Sequence, residues 1–196
     1  PQPDVGQFWL HIDEHIRGTI PKVKMHYLPH LCNHCKNAPC IAVCSPGALK
    51  RRDDGLVLLN PETCTGCGEC VDICPYEAIF FNEELNIAQK CTGCAHILDH
   101  DDALPRCVEA CPTDAIRFGE EAELRELIDK ATVLKPETGC EPSVYYLNIP
   151  GRFIAGTVYD PVKEEIVRDA ECTLSGNGKR LTASTDGFGD FWFKDL

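Results

Sequence analysis

The sequence predicts an α+β fold in which short helical turns and β-hairpins surround clustered cysteines, followed by a partial antiparallel β-sandwich. Three observations predict it. Cysteine accounts for 14 of the 196 residues, far above ordinary usage, and half of it falls in C-x2-C pairs. The cysteine groups close on similar phrases, CSPGAL, CPYEAI and CPTDAI, so one small unit is used repeatedly. From Gly151 onward the cysteine motifs stop and apolar residues alternate with polar ones, the mark of strands with one covered face. The expected division is 1–150 for the cysteine-rich domain with a packing tail, and 151–196 for the sandwich.

The first unit is CNHCKNAPCIAVCSPGAL, which carries Cys32, Cys35, Cys40 and Cys44 as C-x2-C-x4-C-x3-C, with Pro39 just before the third cysteine. ALKRRDDGLVLLNPET follows, and Asp54-Gly55 between β-forming residues signals a hairpin. Lys50-Arg51-Arg52 is the only basic run; with Asp53 and Asp54 at once behind it, it reads as a solvated hairpin tip. The second unit, CTGCGECVDICP, holds Cys64, Cys67, Cys70 and Cys74, and AIFFNEELNIAQK repeats the apolar–turn–apolar pattern. The third, CTGCAHILDHDDALPRCVEACP, holds Cys91, Cys94, Cys107 and Cys111. Next, EEAELRELIDKA places Leu124, Leu127, Ile128 and Ala131 at helical spacing, predicting an amphipathic packing helix with its apolar face inward. The last stretch reads FIAGTVYD, AECTLSG and KRLTASTDGFGDFWFKDL, with turns at Asp186-Gly187 and Gly189.

Composition excludes several classes. A net charge of −12 argues against phosphate backbones and anionic membrane surfaces as partners, so no nucleic acid is expected. No run of about 18 apolar residues is present, so no membrane span is expected. The chain opens at Pro1 with neither Met nor a basic-then-apolar leader, and the natural N-terminus is expected to lie further upstream. No nucleophile–base pair, acid pair or substrate-binding Gly-rich loop stands out, so no catalytic site of its own is expected.

The cysteines therefore carry the chemistry. Disulfides suit small secreted scaffolds, whereas close C-x2-C pairs more often coordinate metal. Zinc sites show paired knuckles separated by a longer gap. The second group instead matches the bacterial ferredoxin run C-x2-C-x2-C-x3-C-P, whose fourth cysteine ligates the other cluster. Three cysteines in one tight loop wrap three corners of a cubane, and the next, on a helical turn, points away to its neighbour. Small residues such as Gly66 and Gly68 let backbone N–H groups approach the sulfurs. By that crossing, Cys32, Cys35, Cys40 and Cys74 hold one [4Fe–4S] cluster, and Cys64, Cys67, Cys70 and Cys44 hold a second. Cys91, Cys94 and Cys107 lack a fourth ligand, and Cys111 points toward a cluster whose other ligands are absent.

The spacing set, with CNHCKNAPC, CPYEAI and QKCTGCAH, resembles the iron–sulfur electron-transfer (beta) subunits of the dimethyl sulfoxide reductase family of molybdopterin oxidoreductases. The resemblance covers roughly residues 1–150. It implies ferredoxin-like double-cluster modules with four cysteine groups, the first pairing with the fourth around the second and third. The first would lie upstream of Pro1, giving four clusters in the full-length chain and two fully ligated by these residues. It would complete the cluster of Cys91, Cys94 and Cys107 and the one that Cys111 joins. The resemblance also implies a large catalytic partner with a molybdenum or tungsten bis-pterin cofactor, and a membrane anchor or soluble redox carrier at the other end. LKPETGCEPSVYYLN resembles the family's tail, which packs back on the cluster domain. The departure is Ser45 after Cys44 where proline is usual. Family members work on either side of the bacterial or archaeal membrane, in the cytoplasm or exported with a partner.

The segment from Gly151 resembles a transthyretin-like or carboxypeptidase-regulatory-like β-sandwich. The resemblance implies that some members of the family carry such an added domain, a likeness that fixes no substrate. Other residues receive plainer readings. Cys172 alternates with Ala170 and Leu174 as a buried strand residue, and Cys140 is a minor alternative ligand. His30, His34 and His96, near the cysteines, are expected to pack or hydrogen-bond, and His11, His15, His26 and His100 show no ligand spacing. The reading is an electron-transfer subunit, with a free-standing polyferredoxin carrier and a structural zinc protein as alternatives.

Overall fold

The computed structural model describes residues 8–100, 103–149, 151–176, 178–194 and 196. The expectation at Pro1 and the boundary placed at 150 fall outside the described residues. Helices are one turn long and strands dominate, so the fold is mixed α+β. Cα packing divides the chain into two units: Pro1–Asp13 with Tyr27–Asn148, and Glu14–His26 with Ile149–Leu196.

A long hairpin, β1 (Leu10–Thr19) and β2 (Lys22–Leu31), leads into the first cysteine loop. In the first unit the repeat seen in sequence is a repeat in space. A cysteine loop runs into α1 (Pro39–Ala42) and then the hairpin β3 (Leu49–Arg51) and β4 (Val57–Leu59). The second copy is α2 (Glu69–Asp72) with β5 (Ile79–Asn82) and β6 (Ile87–Lys90). Pro39 starts α1, where its missing N–H costs nothing. The Asp54-Gly55 turn forms as expected: Gly55 has φ +85°, and the Asp54 carboxylate accepts the Leu56 N–H at 3.1 Å. The two copies share one core of Cys40, Leu49, Val57, Cys70, Ile79 and Ala88. Cysteine is thus part of the packing, and the residues that seal the core also position the thiols.

Two further turns, α3 (Ala95–Leu98) and α4 (Arg106–Glu109), flank the third cysteine group. The predicted amphipathic helix is a single turn, α5 (Arg125–Ile128), with no buried residue. Leu124, Ile128 and Ala131 are half-buried and Leu127 is exposed. The apolar spacing was read correctly, but about a dozen residues are marginal as a helix without a packed face.

In the second unit, β7 (Ile154–Thr157) pairs with β12 (Asp190–Phe193), and β10 (Glu171–Gly176) with β11 (Lys179–Ser184), all antiparallel. A short pair, β8 (Tyr159–Asp160) and β9 (Glu165–Ile166), completes the described strands. The Asp186 carboxylate accepts the N–H groups of Phe188 and Asp190 at 2.8 and 3.0 Å, which shapes the TDGFGD turn. Buried Thr185 accepts the Ala170 N–H and donates to the Val167 carbonyl, both at 2.8 Å. Cys172 sits on β10 opposite Ala183, half-buried where full burial was expected. The outer part of the β1–β2 hairpin belongs here: Lys22 pairs with Asp190, and Arg17 donates to the Gly151 carbonyl at 3.2 Å.

Candidate cluster-binding site

Two groups of four thiols gather in the first unit. One cavity is lined by Cys44, Cys64, Cys67 and Cys70 together with Leu49, Leu59 and Ala88. Burial pushes the Cys70 thiol up to about 11, and its neighbours Cys64, Cys67 and Cys44 add to the shift. A second gathering holds Cys32, Cys35, Cys40 and Cys74. Burial raises Cys35 to about 12 and Cys40 to about 11, with Cys32 and Cys74 contributing to both. Cys44 and Cys74 thus each leave the loop of their own group and stand with the other. In the third group Cys91 and Cys107 are raised, first by burial; Cys107 also responds to Cys94 and Cys111, and Cys91 to Cys32.

All fourteen cysteines are free thiols, and the donor set fits a sulfide-bridged iron cluster better than one ion. No three cysteine sulfurs among the described residues lie within 4.8 Å of one another. A tetrahedral zinc site, with Zn–S near 2.3 Å, holds its sulfurs roughly 3.8 Å apart. The surroundings also supply donors that favour thiolate. Backbone N–H groups reach sulfur in all three groups, among them Leu49 to Cys44, Gly93 to Cys91 and Arg106 to Cys94 at 3.4 Å, Ala115 to Cys111 at 3.3 Å, and those of Tyr76 and Ala78 to Cys74. Hydrogen bonds from the Thr113 side chain and from following backbone groups bring Cys111 down to about 7. His34 is buried, and burial, then Lys90 and Arg51, lower its imidazole to about 3. Its Nδ1 accepts the Val57 N–H at 3.0 Å, while Nε2 is buried with no partner among the described residues. A neutral imidazole in this state carries its proton on Nε2, an unused donor in the Cys32–Cys35 loop that a sulfide-rich group would satisfy.

Two features of the site were not legible as function, and a third, Cys140, was legible only as a minor alternative ligand. Lys90 is buried, and its ammonium donates to Cys32 Sγ at 3.4 Å, to the Cys91 carbonyl at 2.9 Å and to the Val57 carbonyl. The only sequence hint was a lysine directly before a C-x2-C. Arg51, read as part of a solvated tip, instead folds over the first cysteine loop and donates to the carbonyls of His34, Cys35, Lys36 and Gly55. Lys50 is exposed and Arg52 pairs with Asp99 and Asp54, so these two do behave as surface charges. Cys140 is buried beside Cys32, Cys35 and Tyr76, so a fifth sulfur borders the first set.

The tail does pack back. Lys36 and Asn37 donate their N–H groups to the Glu141 and Cys140 carbonyls at 2.7 and 3.0 Å, and the Ser143 N–H reaches the Asn33 carbonyl at 2.9 Å. Tyr76 Oη donates to the Leu134 carbonyl at 3.2 Å, and Lys135 to that of Pro75. Tyr146 Oη donates to the Pro29 carbonyl at 2.9 Å.

Comparison with known proteins gives the family. Residues 23–121 match the family model described as a 4Fe-4S dicluster domain. The chain is 37% identical to the pyrogallol hydroxytransferase small subunit of Pelobacter acidigallici, over 97% of this chain and 73% of that one. It is 36% identical to the dimethylsulfide dehydrogenase beta subunit of Rhodovulum sulfidophilum, over 74% of this chain and only 46% of that one. It is 32% identical to the arsenate respiratory reductase iron–sulfur subunit of a Shewanella species, over 72% and 83%. The chain therefore belongs to the 4Fe-4S dicluster proteins that serve as iron–sulfur, electron-transfer beta subunits of molybdopterin oxidoreductases.

Proposed function

We propose that the chain relays electrons through [4Fe–4S] clusters to or from a large catalytic partner that carries a molybdenum or tungsten bis-pterin cofactor. The observation that supports this is that Cys44 lines one cavity with Cys64, Cys67 and Cys70, while Cys74 packs against Cys32 and Cys35. Iron–sulfur clusters supply one-electron chemistry when bound. Everything else is the work of the chain: Cys32, Cys35, Cys40 and Cys74 ligate one cluster, and Cys64, Cys67, Cys70 and Cys44 a second. Cys91, Cys94 and Cys107 with an upstream cysteine ligate a third, and Cys111 joins a fourth. The core around Leu49, Val57 and Ile79 excludes water, and backbone N–H groups stabilise charge on the sulfurs. Cys40 lies within electrostatic reach of Cys70, and Cys91 of Cys32. This supports a linear order: second set, first set, third set. We read residues 151–196 as part of a transthyretin-like sandwich, supported by the antiparallel pairs β7–β12 and β10–β11.

Substitution tests the ligand assignment. Cys74→Ala in the full-length protein is expected to lower iron by about four per chain and to change the reduced paramagnetic spectrum of the Cys32 cluster alone. Loss of the Cys64 cluster instead would reject the crossing. Full-length protein is expected to hold about sixteen irons; about eight would reject four clusters. Co-purification tests the partner: a pterin-containing protein with molybdenum or tungsten is expected. A solitary, fully active monomer would make the chain a free polyferredoxin.

A further inference from the structure

The β1–β2 hairpin brings together a second set of metal-ligating side chains that contains no cysteine. His11 and Asp13 stand two residues apart on β1 and so share one face of the strand. His30 stands on β2. His30 Nδ1 lies 2.8 Å from His11 Nε2 and 3.5 Å from Asp13 Oδ2, and His11 Nε2 lies 3.1 Å from Asp13 Oδ1. Among the described residues this is the one group of His, Cys, Asp or Glu whose ligand atoms all lie within 4.8 Å.

The proton positions favour a cation. His30 Nε2 donates to the Tyr76 carbonyl, an acceptor only, so in the neutral ring the proton sits on Nε2 and the lone pair on Nδ1. This is the arrangement of a metal-ligating histidine, whose second nitrogen is fixed by a backbone carbonyl. His11 Nδ1 is buried with no partner among the described residues, so His11 makes its polar contacts through Nε2. Three lone-pair-bearing atoms facing one another repel unless a proton or a cation lies between them. One proton on His11 Nε2 serves one neighbour well, whereas a cation serves all three. Two imidazoles and a carboxylate suit a divalent first-row transition metal. Ligand atoms in a tetrahedral zinc site lie roughly 3.3 Å apart, within half an ångström of the separations here. The side chains are 32%, 37% and 19% exposed for His11, Asp13 and His30, which leaves an entry path and room for water as a fourth ligand.

We infer that His11, Asp13 and His30 bind one divalent transition-metal cation of the zinc type, separate from the iron–sulfur ligands. The ion would join β1 to β2 and, through His30, to the turn after Cys74.

The test uses full-length, cluster-loaded protein equilibrated with Zn²⁺, desalted, and analysed for zinc and iron together. Wild type is expected to retain about one zinc per chain, and His11→Gln and Asp13→Asn to lose it with iron unchanged. X-ray absorption at the zinc edge of the wild type should show nitrogen and oxygen neighbours with imidazole scattering. That measurement decides the question even where a variant fails to fold. Wild type retaining no zinc, variants retaining as much as wild type, or sulfur in the zinc shell would each overturn the inference.

Discussion

Lys90 shows what one buried charge does beside a redox centre. Its ammonium touches Cys32 Sγ and two carbonyls, so it favours the more negative, reduced state of a cluster held there. Lys90→Met is expected to lower that cluster's midpoint potential by on the order of 50 mV, the equivalent of about 1 kcal/mol for one electron. Redox titration followed by paramagnetic resonance measures it. Orphaning the Val57 and Cys91 carbonyls should also destabilise the fold by about 1–3 kcal/mol. Tyr146 carries a pH dependence. Burial raises its phenol to about 12, and Asp13 adds to the shift. The unfolded chain releases this proton near pH 10, the folded chain only near 12. The contribution is thus complete below pH 10 and is lost as pH rises through that window. Tyr146→Phe should remove the loss while giving up about 1 kcal/mol of hydrogen bond, as read by denaturant melts at pH 9 and 11. At this scale the sequence was legible where spacing encodes chemistry, as with the three cysteine groups. It was silent on Lys90 and on the His11–His30 contact, because both depend on strands pairing at long range.

Among elements, the two CTGC loops offer an internal comparison. Gly66 and Gly93 occupy the same place in the two loops, with φ +72° and +62°. A Cβ on Gly66 would run into the Asn86 backbone carbonyl; on Gly93 it would meet the Leu56 Cδ2 at 2.7 Å. A side chain can move and a strand-end carbonyl cannot. Gly66→Ala is therefore expected to cost more stability than Gly93→Ala, beyond the roughly 1 kcal/mol that left-handed backbone costs either alanine. Iron should fall at the Cys64 set, which thermal melts and iron assay of the two variants would reveal. Hairpins were legible because Asp-Gly and alternating apolar residues act locally. The helix at Arg125 was over-read because spacing records which residues align, not whether anything packs against them.

For the whole molecule, the division into units places Glu14–His26 with the C-terminal strands, although these residues lie in the middle of an N-terminal hairpin. Removing residues 149–196 is expected to leave cluster iron unchanged while Lys22 and Arg17 lose Asp190 and the Gly151 carbonyl. Limited proteolysis is then expected to cut between Gly18 and Lys24 faster than in the longer chain. No helix among the described residues is long and apolar enough to cross a membrane.

The tail that returns to the first cysteine loop also sets an order of assembly. The N–H groups of Lys36 and Asn37 find their acceptors only at Glu141 and Cys140, about a hundred residues later in synthesis. Cys44, Cys64, Cys67 and Cys70 are all in place long before that. On a growing chain the set begun second is complete first, and the loop that emerges earliest gains these two acceptors last. A cluster-loading machine meeting this protein during translation would therefore fill its sites out of sequence order.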